Sequence, residues 1–237
     1  MRYHKTKLPD RPFIEIGQVV HIYNRGVDKR NIFMNDGDRV RFIHALYEFN
    51  DENSSPALIR KNSEDTTFAR VRSPLVDILS FCLMDNHIHI MAQQRTEYGV
   101  SKFMKKLGIG FTNFFNLKYE RSGVLFQGKF KYRLVFDQAH CDHLPIYIHL
   151  NPLDILQPKW KDTGLSNPNT AFNFLQKYRW SSLQDYLGKR NFPSLISWNS
   201  VHDLIGKRAL ATHMTDLKEW ARAPIGHETV IEDTLHD

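Results

Sequence analysis

Apolar residues along this chain recur with two periods, and each period predicts a kind of element. Val19 to Asn24 (Val-Val-His-Ile-Tyr-Asn) reads as a β-strand ended by Arg25-Gly26, with His21 and Tyr23 on one face and Ile22 on the other. Asp36 is an N-cap for a helix running to about Phe49, with Val40, Ile43, Leu46 and Tyr47 as its apolar stripe. The near-continuous apolar run Val76 to Met84 predicts a buried strand. Asp85-Asn86 then serves as a two-residue turn, since both residues tolerate positive φ, and His87 to Ala92 returns as the partner strand. Val100 to Tyr119 carries Phe103, Met104, Leu107, Phe111, Phe114 and Phe115 at helical spacing, with Gly108 and Gly110 marking a bend. A basic strand follows within Gly128 to Phe136. Asp137 caps a last helix reaching Leu150, which Asn151-Pro152 stops. Pro145 inside it predicts a kink, or a fresh cap at Asp142.

The order β-α-β-β-α-β, followed by a helix, is that of a ferredoxin-like α+β domain, an antiparallel sheet with helices on one face. Residues 153–237 hold all four tryptophans and short helical patterns, predicting a helical C-terminal extension. The expected division is an N-terminal arm over 1–17, a ferredoxin-like domain over 18–155 and the extension over 156–237. The polar stretch 51–73 reads as a long loop or insertion.

Charge adds a partner class. The 237 residues carry a net charge of +6, which points to a polyanion. The two cysteines, Cys82 and Cys141, exclude a disulfide framework and a cysteine-rich zinc site. No apolar run approaches the ~18 residues of a membrane span and no signal peptide is apparent, so a soluble, cytoplasmic protein is expected.

Candidate chemistry starts at Cys82-Leu83-Met84-Asp85-Asn86-His87-Ile88-His89-Ile90. On a strand, His87 and His89 share one face while Ile88 and Ile90 anchor the other. Two adjacent imidazoles are half of a metal site, or simply a half-polar sheet face. Tyr147 and Asn151 lie four apart, on one face of the last helix. The tyrosine hydroxyl is a weak nucleophile that nearby metal or phosphate chemistry could activate, and the asparagine carbonyl oxygen is a candidate third metal ligand beside the histidines. Each also has a bland reading, as an interface tyrosine and a helix stop.

Taken together, Cys-Leu-Met-Asp-Asn-His-Ile-His-Ile, Phe126-Gln127-Gly128-Lys129-Phe130-Lys131 and Tyr-Ile-His-Leu-Asn-Pro resemble the single-tyrosine HUH transposases. Within them, the resemblance is to the bacterial branch associated with repetitive extragenic palindromes (REP). His21-Ile-Tyr-Asn-Arg-Gly26 and Tyr178-Arg179-Trp180-Ser181-Ser182 agree with that branch, and the likeness spans about residues 18–190. The resemblance implies a ferredoxin-like fold and His87 and His89 as ligands of Mg²⁺ or Mn²⁺. It also implies Tyr147 as nucleophile, Asn151 as an amide ligand, and cleavage and rejoining of single-stranded or hairpin DNA through a 5′-phosphotyrosine. A monomer or homodimer near the bacterial nucleoid is expected. Pro145, two residues before the nucleophile, departs from the family pattern.

Between Lys102 and Arg133 stand eight lysines and arginines against one acid, Glu120. Lys129, Lys131 and Arg133 interleave with Phe126, Phe130 and Tyr132, a combination suited to phosphate tracking and base stacking. Asn24 and Arg25 are further candidate DNA contacts. Three rival readings are a hairpin-DNA-binding protein that cuts nothing, a phosphodiesterase using water, and an RNA-binding ferredoxin-like module.

Overall fold

In the computed structural model, residues 12–54 and 72–222 are described; most of the N-terminal arm, the centre of the 51–73 segment and the last residues of the extension lie outside them. Four strands, β1 (Val19–Arg25), β2 (Val76–Leu83), β3 (His87–Gln94) and β4 (Lys131–Leu134), form one antiparallel sheet in the order β2-β3-β1-β4. Helix α1 (Asp36–Phe49) links β1 to β2 and α2 (Gly99–Lys118) links β3 to β4. This is the βαββαβ order read from the sequence.

The α1 N-cap is Asn35, one residue before the expected Asp36. Its side chain accepts from the Asp38 N–H while the Asp38 carboxylate reaches back to the Asn35 N–H, a reciprocal capping box. The buried stripe is also rotated from expectation. Phe42, Ile43, Ala45, Leu46 and Phe49 face inward, whereas Val40 and Tyr47 stand exposed. Asp38 is fully buried, yet Lys118 and Tyr119 at the end of α2 both donate to it. Burial alone would raise its carboxyl; the bonds from Lys118, Tyr119 and the Met34 N–H bring it below the usual range and pin α1 to α2. Gly110 has a packing role. A β-carbon there would overlap the Phe49 ring, so the glycine sets how closely the two helices approach.

The β2–β3 turn forms at Asp85-Asn86, with the Met84 N–H bonded to the His87 carbonyl. Neither turn residue adopts positive φ, contrary to the expectation. Tertiary bonds hold it instead: Ile32 and Phe33 donate to the Asp85 carbonyl, Gly26 to the Asn86 carbonyl, and Arg39 pairs with the Asp85 carboxylate.

Helix α3 (Gln138–Leu150) runs unbroken through Pro145 from its Asp137 cap, with no fresh start at Asp142. It packs on β2 and β3 and, on its other side, on the C-terminal extension. Every residue from Leu144 to Leu150 is buried as a result. The extension is helical: α4 (Leu153–Leu156), α5 (Trp160–Thr163), α6 (Pro168–Lys177), α7 (Leu183–Tyr186), α8 (Trp198–Leu204) and α9 (Gly206–Arg222). Its Trp180-Ser181-Ser182 stretch lies along the outer edge of β2. Leu83 N–H donates to the Trp180 carbonyl and Ser182 N–H to the Phe81 carbonyl, so these β2 groups are paired by the protein's own chain. Behind it, His149 bonds His213 of α9 at 2.8 Å and Ser182 at 2.7 Å, joining α3, α9 and β2 in one buried polar chain. Among the described residues no helix is long and apolar enough to cross a membrane.

Candidate active site

Directly paired residues of an antiparallel sheet project to the same side, so the register sorts the candidate residues by face. His87 pairs with Arg25, His89 with Tyr23, and Met91 with His21; across β1, Tyr23 pairs with Lys131 and His21 with Arg133. All of these share one face. Ile88, Ile90, Ile22 and Asn24 share the other, toward α2. Helix α3 covers the histidine face. This brings Tyr147 over β1 and β3 with its ring centroid 5.8 Å from that of His89 and 5.8 Å from that of His21, edge-on to both.

The two strand histidines lie 5.0 Å apart between ring centroids, nearly perpendicular. Each has its Nδ1 engaged. That of His87 is 2.6 Å from Asn86 Oδ1, and that of His89 is 2.9 Å from Nε2 of His21. The Nε2 atom of each ring is therefore the nitrogen left to face a ligand. Burial pushes His87 down to about 3, helped by the charges of Arg25 and Lys161. It holds His89 well below its ordinary value, with His87, His21, Lys161 and Arg25 adding to the effect, and lowers His21 to about 3. These imidazoles are neutral at physiological pH, the state in which a ring nitrogen can donate its lone pair.

Tyr147 and His89 are each only 4% exposed, and Asn151 is 3% exposed one turn further on. The Asn151 amide nitrogen donates to the Tyr147 carbonyl at 2.8 Å, which leaves its side-chain oxygen as the atom available to a ligand. Lys161, from α5, places its ammonium 4.9 Å from the centre of the Tyr147 ring, over the aromatic face. Buried Trp160 beside it anchors this segment. Among the described residues, no group of three or more His, Cys, Asp or Glu is placed to hold a metal ion. The donors are two neutral imidazoles together on the sheet face and, one turn beyond Tyr147, the amide oxygen of Asn151.

The other candidates divide between the two faces. Arg25, Lys131 and Arg133 stand on the histidine face. Asn24 and Lys129 instead line a groove of about 530 Å³ between α2 and residues 123–130, on the opposite side of the sheet. Two residues of the site stand outside the sequence-derived set. His21 was legible only as a face-mate of Tyr23, and its register with β3 is a tertiary fact. Lys161 carries no local signal, because it arrives through the fold of the extension.

Residues 59–151, the stretch that holds both strand histidines, Tyr147 and Asn151, match the family model described as "Transposase IS200 like". That match covers 93 of the chain's 237 residues. Six chains of solved structures match it as well. One is a REP-associated tyrosine transposase bound to a REP hairpin, 13% identical with a TM-score of 0.49, over 81% of this chain and 92% of that one. No curated protein matches the chain.

Proposed function

We propose that this protein is a divalent-metal-dependent DNA transposase that cuts and rejoins single-stranded or hairpin DNA through a 5′-phosphotyrosine on Tyr147. The observation that carries the reading is the packing of the Tyr147 ring against His89, on the face that also bears His87, within the segment that matches the IS200-like transposase family. The residues fit a metal: two neutral imidazoles with their Nδ1 atoms already engaged, and an amide whose nitrogen is tied to the helix. An Mg²⁺ or Mn²⁺ ion held by His87, His89 and Asn151 would supply Lewis-acid polarisation of the scissile phosphate, with Mn²⁺ the better match to imidazole.

The chain's own groups account for the rest. The Tyr147 hydroxyl attacks phosphorus and loses its proton; the phosphorus–O3′ bond breaks and the departing oxygen takes up a proton. One strand end is left as a 5′-phosphotyrosine and the other as a free 3′-hydroxyl. Attack by a 3′-hydroxyl reverses the step and joins DNA without an energy-rich cofactor. Lys161, beside the tyrosine, offers charge to the non-bridging oxygens, and Arg25, Lys131 and Arg133 give the same face a cationic track for the strand. A cytoplasmic, nucleoid-associated location belongs to this reading.

One observation favours a second reading, a hairpin-DNA-binding protein that cuts nothing: Tyr147 is only 4% exposed, so little of the tyrosine meets solvent. Purified protein incubated with labelled single-stranded hairpin DNA from its genomic neighbourhood, with Mn²⁺ or Mg²⁺, separates the two on a denaturing gel. The transposase reading expects a covalent protein–DNA adduct that is lost in Tyr147→Phe and in His87→Ala. Cleavage without an adduct would make water the nucleophile, and binding without cleavage in either metal would establish the second reading.

A further inference from the structure

We propose that His21 is a positioning residue whose ring fixes the tautomer of His89, so that His89 presents Nε2 to a divalent ion; the inference rests on the metal-dependent reading above. His21 Nε2 and His89 Nδ1 are 2.9 Å apart, and both rings are buried. A contact between two neutral imidazole nitrogens contains a single proton, because one atom must donate and the other accept. If His21 donated, His89 would carry its own proton on Nε2 and could not bind a metal through that atom. If His89 donates from Nδ1, its Nε2 lone pair is freed. A ligand on Nε2 therefore selects the second arrangement, in which His21 is the acceptor.

The geometry holds this acceptor in place. His21 sits directly opposite Met91 in the β1–β3 ladder, which makes His89 its diagonal neighbour on the same face. Seven consecutive residue pairs fix that register. The two rings lie nearly parallel, with centroids 5.2 Å apart, and the edge of the Tyr147 ring closes over both. Asn86 Oδ1 meets His87 Nδ1 in the corresponding way. Both histidines of the pair thus have the same nitrogen engaged, one by an amide oxygen and one by an imidazole. Partners of this kind raise ligand basicity and fix ring orientation, and their loss typically costs ~10–100-fold in metal affinity.

The test compares His21→Leu, which removes the acceptor, with His21→Gln, whose amide oxygen can still accept. Mn²⁺ affinity is read by electron paramagnetic resonance of the free ion. The tautomer of His89 is read from ¹⁵N-histidine spectra of the full chain with Mg²⁺, and thermal unfolding verifies that each variant is folded. Expected are an Nδ1-protonated His89 in the parent chain, a ~10–100-fold loss of Mn²⁺ affinity in His21→Leu, and recovery of most of it in His21→Gln. Parent-like Mn²⁺ binding by a folded His21→Leu would overturn the assignment, as would equal losses in both variants or an Nε2-protonated His89. A parent chain that binds no Mn²⁺ would overturn the metal-dependent reading itself and, with it, this role for His21.

Discussion

Acid should weaken this fold through His213, by an amount that the structure allows to be worked out. The residue lies on α9, is 2% exposed, and has its Nε2 2.8 Å from His149 Nδ1. Burial brings it down to about 4 against an ordinary value of 6.5, even though the charge of Asp216 acts in the opposite direction. Above pH 6.5 both the folded and the unfolded chain carry this imidazole neutral, and its contribution to stability is complete. As the pH falls below 6.5 the unfolded chain takes up a proton that the folded chain refuses, so stability is lost until the folded imidazole also titrates near pH 4. At pH 5 the protonation ratio differs by about 30-fold, or about 2 kcal/mol, and the limit at lower pH is about 3 kcal/mol. A domain with a total stability of roughly 5–15 kcal/mol would register either value. Urea unfolding at pH 7.5 and at pH 5, on the parent and on His213→Gln, isolates the term, since glutamine can still bond His149 but does not titrate. The parent should lose ~2 kcal/mol more than the variant between the two pH values. Equal losses would refute the reasoning and mean that His213 is protonated in the folded protein.

Gly110→Ala should cost ~1–3 kcal/mol in thermal or urea unfolding, because the added methyl meets the ring of buried Phe49; pairing it with Phe49→Leu should recover part of the loss, and an unchanged midpoint would contradict the close approach of α1 and α2. Lys131→Ala and Arg133→Ala should each weaken hairpin binding without regard to sequence and reduce the salt dependence of log K by about one charge. Lys129→Ala, on the opposite side of the sheet, should leave that slope much closer to the parent value. A larger slope change for Lys129 than for Lys131 would place the strand on the α2 side.

The sheet was readable because a period of two and a period of 3.6 survive in the apolar positions of single segments. Ile88 and Ile90 need only alternate with His87 and His89 for the face to be known, and β3 begins at His87. The spacing of Tyr147 and Asn151 was readable for the same reason, although α3 ends at Leu150 and Asn151 is its C-cap. Local signals failed where a distant contact decided the outcome. Val40 and Tyr47 fit a helical stripe as well as Phe42 does, and only the position of the sheet and α2 chooses between them. Asp85 and Asn86 need no positive φ when Ile32, Phe33 and Gly26 bond their carbonyls. The grouping of Asn24 with Arg25 overlooked strand parity, since neighbours on a strand face opposite ways. Lys161 and the His21–His89 bond arise only once separate elements meet, and no segment read alone contains them.

The strip of chain around Trp180-Ser181-Ser182 that lies against β2 also bears on how copies of this protein can meet. An exposed strand edge is a template on which a second molecule can anneal, by continuing the hydrogen-bond ladder across the boundary. Here the Leu83 amide and the Phe81 carbonyl are already spoken for by the same polypeptide, about a hundred residues downstream. A second copy could add a strand at this margin only by first peeling the strip away, and Ser182, which also holds His149 of the tyrosine-bearing helix, would go with it. Growth of the sheet from the β2 side therefore comes only at the expense of the bond that ties α3 to this strip.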